Sequence, residues 1–165
     1  MNYQIEALCP ADWEQVRAIY LEGIATGQAT FQTEAPDWAE WDAGHLITPR
    51  LVACAATGVL GWAALSPSSK RACYAGVAEV SIYIAAAARG QGIGNALMMA
   101  LIEEAERRDI WTLWSSVFPE NTASLRLHLR HGFREVGRRE RIAKLHGMWR
   151  DTVVLERRSR VVGLD

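Results

Sequence analysis

Three cysteines in 165 residues are too few, odd in number and wrongly spaced for a disulfide framework or a thiolate metal site. Cys9, Cys54 and Cys73 are therefore expected as small buried or half-buried side chains in a reducing compartment, and no metal is expected. No apolar run approaches the roughly 20 residues of a membrane span. Met1-Asn2-Tyr3-Gln4 lacks the basic and apolar regions of a secretory signal, so the expectation is a cytoplasmic chain. Charge of one sign is missing too. Lys and Arg number 18 against 19 Asp and Glu, a formal net charge of −1 that advertises neither nucleic acid nor a charged membrane surface. Residues 130–160 do hold ten arginines and lysines against four acids. Without a recognition motif or aromatic–basic interleaving, these are expected to face solvent or to pair with acids across a sheet. Repeats, low-complexity tracts and linkers are absent, and the length suits a single domain over 1–165.

What is present is Arg89-Gly90-Gln91-Gly92-Ile93-Gly94. The β-branched run Val77–Ile84 before it reads as a strand. Behind it, Ala96, Leu97, Met98, Met99, Leu101, Ile102 and Ala105 give a helix with a broad apolar face. A strand, a glycine turn and a helix N-terminus make a site for anionic oxygen: N–H groups point outward, the helix dipole is positive, and glycine admits close approach. A dinucleotide fingerprint from Gly90 would need glycine or alanine where Asn95 stands. A P-loop would need glycine and lysine at Asn95 and Ala96. Neither fits.

The remaining elements follow by periodicity. Residues 3–8 alternate as a strand, and Pro10-Ala11-Asp12 opens a helix carrying Trp13, Val16, Ile19, Tyr20 and Ile24. A loop over 23–33 precedes a short helix at 38–46. Residues 51–55 and 59–64 read as a hairpin, and Ser66-Pro67-Ser68-Ser69 as a polar turn. Residues 113–118 form a strand, Pro119-Glu120-Asn121-Thr122 caps a helix, and Gly132 suits its left-handed stop. Closing strands fall at 133–140 and 149–156. The order β-α-α-β-β-β-α-β-α-β-β is mixed α/β, with helices on both faces of a largely antiparallel sheet.

Arg89-x-x-Gly92-x-Gly94 resembles the signature of the GNAT superfamily of N-acetyltransferases, whose fold has this element order. Several further stretches are similar to the phosphinothricin and methionine sulfoximine acetyltransferases. They are Gly23-Ile24-Ala25-Thr26-Gly27-x-Ala29-Thr30-Phe31, Val80-Ser81-Ile82-Tyr83-Ile84 and Phe118-Pro119-Glu120-Asn121-Thr122-Ala123-Ser124. Leu127-His128-x-x-x-Gly132-Phe133 and Lys144-Leu145-His146-Gly147-Met148-Trp149-Arg150-Asp151 complete the set, so the similarity spans about residues 3–157. The resemblance implies acetyl-coenzyme A as co-substrate, with its pyrophosphate on Arg89, Gly90, Gln91, Gly92, Ile93 and Gly94. Strand residues Ile82, Tyr83 and Ile84 would hold the acetyl oxygen and pantetheine, and Asn121 and Ser124 would meet pantetheine or phosphate or simply cap their helix.

Alternation places Glu79, Ser81 and Tyr83 together on one face of the Val77–Ile84 strand, a polar row suited to a cleft. Amine acetylation needs a neutral amine, and Glu79 is the candidate base, where the resemblance also puts the subfamily's glutamate; the alternative is a structural Glu79 bonded to Tyr83 or an arginine. His128 stands where many superfamily members carry a tyrosine, as a candidate general acid or as packing. For the acceptor, Arg71 suits a carboxylate. Arg71 and Tyr74 lie in a segment that lines the amino-acid site in similar enzymes, and Phe31 and Thr30 of the first loop are candidates to wall the same pocket. His146 matches a histidine that the subfamily places near the substrate, or is a solvated or capping residue.

The expected activity is acetylation of the α-amino group of a small amino-acid analogue: methionine sulfoximine, methionine sulfone or phosphinothricin. Alternatives are a protein N-terminus, lysine or polyamine acceptor, or a non-catalytic acetyl-coenzyme A-binding module. The resemblance further implies a homodimer.

Overall fold

The computed structural model describes residues 2–164; Met1, from the stretch inspected for a leader, and Asp165 lie outside the described residues. The elements follow in the expected order: β1 (Gln4–Ala7), α1 (Trp13–Ala25), α2 (Trp38–Gly44), β2 (Arg50–Ala55), β3 (Gly58–Pro67), β4 (Val77–Ile84), α3 (Ile93–Glu106), β5 (Thr112–Val117), α4 (Thr122–Arg130), β6 (Arg134–Leu145) and β7 (Met148–Arg158). The seven strands form one sheet in the order β1-β2-β3-β4-β5-β7-β6. Its pairs are antiparallel except the central one, β4 with β5.

Period-two alternation sends side chains to two cores, one on each face of the sheet. On one face, α3 lays Leu97, Met98, Leu101 and Ala105 against Ala63, Leu65, Ala78 and Val80. On the other, α1 and α2 bring Trp13, Val16, Ile19 and Trp41 against Val52, Trp62 and Ala64. Trp41 packs on Trp13 at 5.5 Å and edge-on to Trp62 at 5.6 Å between ring centroids, so much of this second core is aromatic area. A register shift opposite Ala53 and Cys54 leaves Leu60 as the extra residue of β3. Leu60 joins the α3 core while Val59 joins the tryptophan core.

Two strands run further than periodicity suggests. Ser66 and Pro67, read as a turn, continue β3 and pair with Glu79 and Ala78. β6 continues to Leu145 because two register shifts absorb Val136 and residues 140–142. The basic C-terminal stretch pairs across the sheet at Arg134 with Glu156 (2.7 Å) and Arg138 with Asp151 (2.7 Å), whereas Arg157 pairs with Glu106 at the end of α3 (2.9 Å). The cysteine expectation needs correction. Cys9 and Cys73 are exposed because both sit at short 3-10 turns outside the cores, and Cys54 alone is half-buried. Among the described residues no helix is long and apolar enough to cross a membrane, and no cluster of metal-ligating side chains occurs.

Candidate active site

β4 and β5 pair through only Val77, Ala78 and Glu79, although β4 runs on to Ile84 and β5 to Val117. Beyond Glu79 the two strands part, and residues 80–84 have no strand partner on that side. Their peptide groups need hydrogen bonds from elsewhere. A cleft of about 900 Å³ opens along this split, running from the glycine turn past β4 to Glu79.

At the turn, Gly90 (φ 75°) and Gly92 (φ 84°) occupy the left-handed region, and open space surrounds the position of a Cβ at each. Gly92 is the N-cap of α3, so the first free N–H groups of a 14-residue helix emerge there. Gly94 differs. Its backbone is helical, and a Cβ would make only ordinary contact, 3.5 Å from Leu127 Cδ2. Arg89 Nε donates to the Ile84 carbonyl (3.2 Å), tying the turn to the end of β4. Gln91 turns its amide away to the Ala87 carbonyl (2.9 Å) and does not join the cleft wall. Arg89, Arg126 and Arg130 line this end, and no lysine or other arginine among the described residues lines the cleft. One end is cationic and rich in donors, a surface suited to an anion.

The far end has the opposite character. Glu79 faces Ser66 across the β3–β4 pair, and both line the cleft with Ser81, Tyr83 and Phe31. Burial raises the Glu79 carboxyl above its ordinary value, and the charge of Arg139 partly offsets that. Among the described residues the Glu79 carboxylate has no side-chain hydrogen bond to Tyr83 or to an arginine, and Arg139 acts on it through charge. The result is a carboxylate at the cleft with strengthened basicity.

Tyr83 is held on the tryptophan side. Its ring stacks on Trp62 (4.9 Å) and meets Tyr20 edge-on (4.8 Å), and its hydroxyl end lies near Tyr20 and Thr30. Burial raises both phenols, which stay protonated. Gly23 of α1 makes room for this ring: a Cβ there would lie 2.6 Å from Tyr83 Cδ1.

His128 is 1% exposed. Its Nδ1 lies 2.8 Å from the Ser124 carbonyl, an acceptor only, so Nδ1 carries the proton. Nε2 then offers a lone pair and has no partner, while burial lowers the imidazole's proton affinity. His128 is thus arranged as an acceptor, against the expectation of a general acid. Asn121 has both its amide functions engaged: Oδ1 accepts from Ser124 N–H (3.1 Å) as the cap, and Nδ2 donates to the Gln28 carbonyl (3.1 Å).

Three expected acceptor residues lie outside the cleft wall. Arg71 is exposed and stacks on Tyr74 (5.5 Å) in the β3–β4 connection. His146 is at the exposed tip of the β6–β7 hairpin, with φ 49° ahead of Gly147 at φ 80°. A residue without an expected role does much of the work of closing the site. Arg150 of β7 donates to the Gly27 carbonyl (3.0 Å) and Gln28 Oε1 (2.8 Å), pairs with Glu120 (3.3 Å), and lies over the Phe118 ring (4.1 Å). Phe31 packs edge-on to the same ring (4.8 Å). The loop over 26–37 is thereby strapped across the cleft.

A split sheet with an anion site at one end of the gap and a basic carboxylate at the other defines a group-transfer enzyme for an anionic carrier. The acetyltransferase (GNAT) family model matches residues 12–133, and the chain belongs to that family of N-acetyltransferases. A phosphinothricin N-acetyltransferase of Alcaligenes faecalis is 36% identical over 155 residues, 88% of this chain and 77% of its own length. An L-methionine sulfoximine/L-methionine sulfone acetyltransferase of Pseudomonas paraeruginosa is 30% identical over 162 residues, 94% of each chain. The crystal structure of a phosphinothricin acetyltransferase from Sinorhizobium meliloti in complex with acetyl-coenzyme A is similar with TM-score 0.84 and 27% identity, covering 100% of this chain and 97% of that one.

Proposed function

We propose that the chain acetylates the α-amino group of a small amino acid bearing an oxidised sulfur or phosphorus side chain, with acetyl-coenzyme A as donor. The observation that carries this is the polarity of the cleft: three arginines and the α3 N-terminus at one end, Glu79 and aromatic walls at the other. Phosphate oxygens suit the turn, where Gly90 and Gly92 leave space for them. The unpartnered edge of residues 80–84 suits an amide-bearing arm and, through its N–H groups, an oxygen on which negative charge develops. When bound, the thioester supplies an activated acyl group.

Glu79 takes the proton from the incoming ammonium, leaving a neutral amine to attack. The new C–N bond forms as the C–S bond breaks. The nitrogen then sheds its second proton, and the departing sulfur is protonated from solvent or by that proton, since His128 presents no N–H to it. Arg71, exposed outside the cleft wall with Tyr74 beside it, is assigned the α-carboxylate on the chemistry of its guanidinium alone. His146 is given no step.

The working unit is taken as a cytoplasmic homodimer with a detoxifying role. Support for pairing is the apolar exposure of the β6–β7 hairpin, where Met148 is 70% and Trp149 55% exposed; light scattering tests it. The activity is tested by a panel of amines with acetyl-coenzyme A: methionine sulfone, methionine sulfoximine, phosphinothricin, a polyamine and a peptide N-terminus. Turnover confined to the amino acids is expected. Turnover confined to the peptide or polyamine would sink the assignment.

A further inference from the structure

A second chamber of about 440 Å³ opens beside the acceptor end and shares Tyr20, Gln32, His45, Ser81 and Tyr83 with the main cleft. The two therefore adjoin at Ser81, two residues along β4 from Glu79. Trp41 and Trp62 back its inner wall, each almost wholly buried. Pro36 and Ala35 add apolar surface, and the remaining wall carries Glu34 and Glu40.

No lysine or arginine among the described residues lines this chamber. His45 adds no charge: its Nδ1 donates to the Trp41 carbonyl (2.6 Å), and burial lowers its proton affinity. Arg50 lies 5.2 Å from the Trp41 ring but spends its donors on Asp42, on the Leu46 carbonyl (2.6 Å) and on the His45 carbonyl (3.1 Å). Its charge is already matched by the Asp42 carboxylate.

We propose that this chamber receives the side-chain head of the acetylated amino acid and selects heads without negative charge. It rests on the function proposed above and goes further by dividing its candidate substrates. An uncharged sulfone or sulfoximine brings a methyl group to the apolar wall of Ala35, Pro36 and the ring edges, and oxygens to the Ser81 and Tyr20 hydroxyls. A phosphinate brings a full negative charge to a space walled by two carboxylates and by electron-rich ring faces, with no cation to meet it. The α-amino and α-carboxylate groups are common to all these compounds, so the discrimination belongs to the head alone.

The test is kcat/KM for L-methionine sulfone, L-methionine sulfoximine and L-phosphinothricin at low ionic strength. The two sulfur compounds are expected to exceed phosphinothricin on the order of 10-fold or more. Gln32→Lys places a cation in the shared wall from an exposed loop position. It should shrink that ratio, chiefly by lowering the KM for phosphinothricin, whereas Gln32→Met should leave the ratio unchanged. Quenching of tryptophan fluorescence by methionine sulfone gives a readout independent of turnover. Phosphinothricin turned over as well as or better than the sulfone overturns the chamber's selectivity and leaves the proposed function standing. Turnover of none of the three overturns both.

Discussion

The two ends of the cleft are built in opposite ways. The glycine-turn end comes from one short stretch, residues 89–94, joined by the neighbouring face of α4; it is cationic and its shape is set by backbone. The acceptor end is collected from α1, the loop over 26–37, α2, β3 and β4; it is aromatic and acidic and its shape is set by side chains. A carrier common to many reactions can be held by a local device. An acceptor must be distinguished from its analogues, and that takes walls drawn from several elements.

If the ends are separable, changes at one should leave the other nearly untouched, and the largest contrast lies at Glu79. Glu79→Gln should lower kcat on the order of 10²-fold or more while calorimetry finds coenzyme affinity nearly unchanged. The base works ionised, and burial raises its titration point, so wild-type kcat/KM should fall as pH drops through a value above the ordinary carboxylate range. That acid limb should vanish in the variant. Unchanged turnover with an unchanged pH profile would return Glu79 to a structural role.

Gly92→Val should act in the reverse sense. Forcing a β-branched residue to φ 84° strains the turn by about 1–3 kcal/mol, and coenzyme affinity should weaken on the order of 10-fold or more. Wild-type affinity in the folded variant would remove the turn from the anion site. Arg150→Met keeps the stem over Phe118 but removes the donors to Gly27 and Gln28. It should raise the acceptor KM roughly 5- to 10-fold with a smaller change in coenzyme affinity; equal shifts in both would show that the strap serves stability alone.

Smaller effects sharpen the boundary between the ends. Arg71→Ala should raise the KM for an amino acid and reduce the preference for it over its decarboxylated amine, about 10-fold if the guanidinium meets the carboxylate. Equal preference in wild type and variant would place the carboxylate elsewhere. Gly94→Val should weaken coenzyme binding less than Gly92→Val, because its helical φ tolerates a side chain and only the space beside Leu127 is lost.

The sequence exposes these regions unequally, and for the same reason. Val77–Ile84 is found with the expected limits, and its alternation puts Glu79, Ser81 and Tyr83 on one face. The Asn121 cap and the left-handed Gly132 at φ 82° are also local signals, written in neighbouring residue types. Arg150 left no such sign, since the residues it holds lie 122 and 123 positions away. Ser66 reads as a turn beside Pro67 until pairing with Glu79 extends the strand. For His128, helical spacing marks the position, but only the Ser124 carbonyl fixes which nitrogen bears the proton. Long-range contacts decide the chemistry there.

The parting of β4 and β5 leaves a strand edge inside the protein rather than at its rim. Amides along that edge lack the protection a neighbouring strand confers, so hydrogen exchange there should be fast in the free protein and slow once coenzyme is bound. Ligand and fold are then coupled by mass action. At a coenzyme concentration about 100 times Kd the native state should gain about 2.7 kcal/mol, seen as a higher melting temperature. The cell's pool of acetyl-coenzyme A would thereby set the lifetime of this chain against proteolysis as well as its rate of turnover.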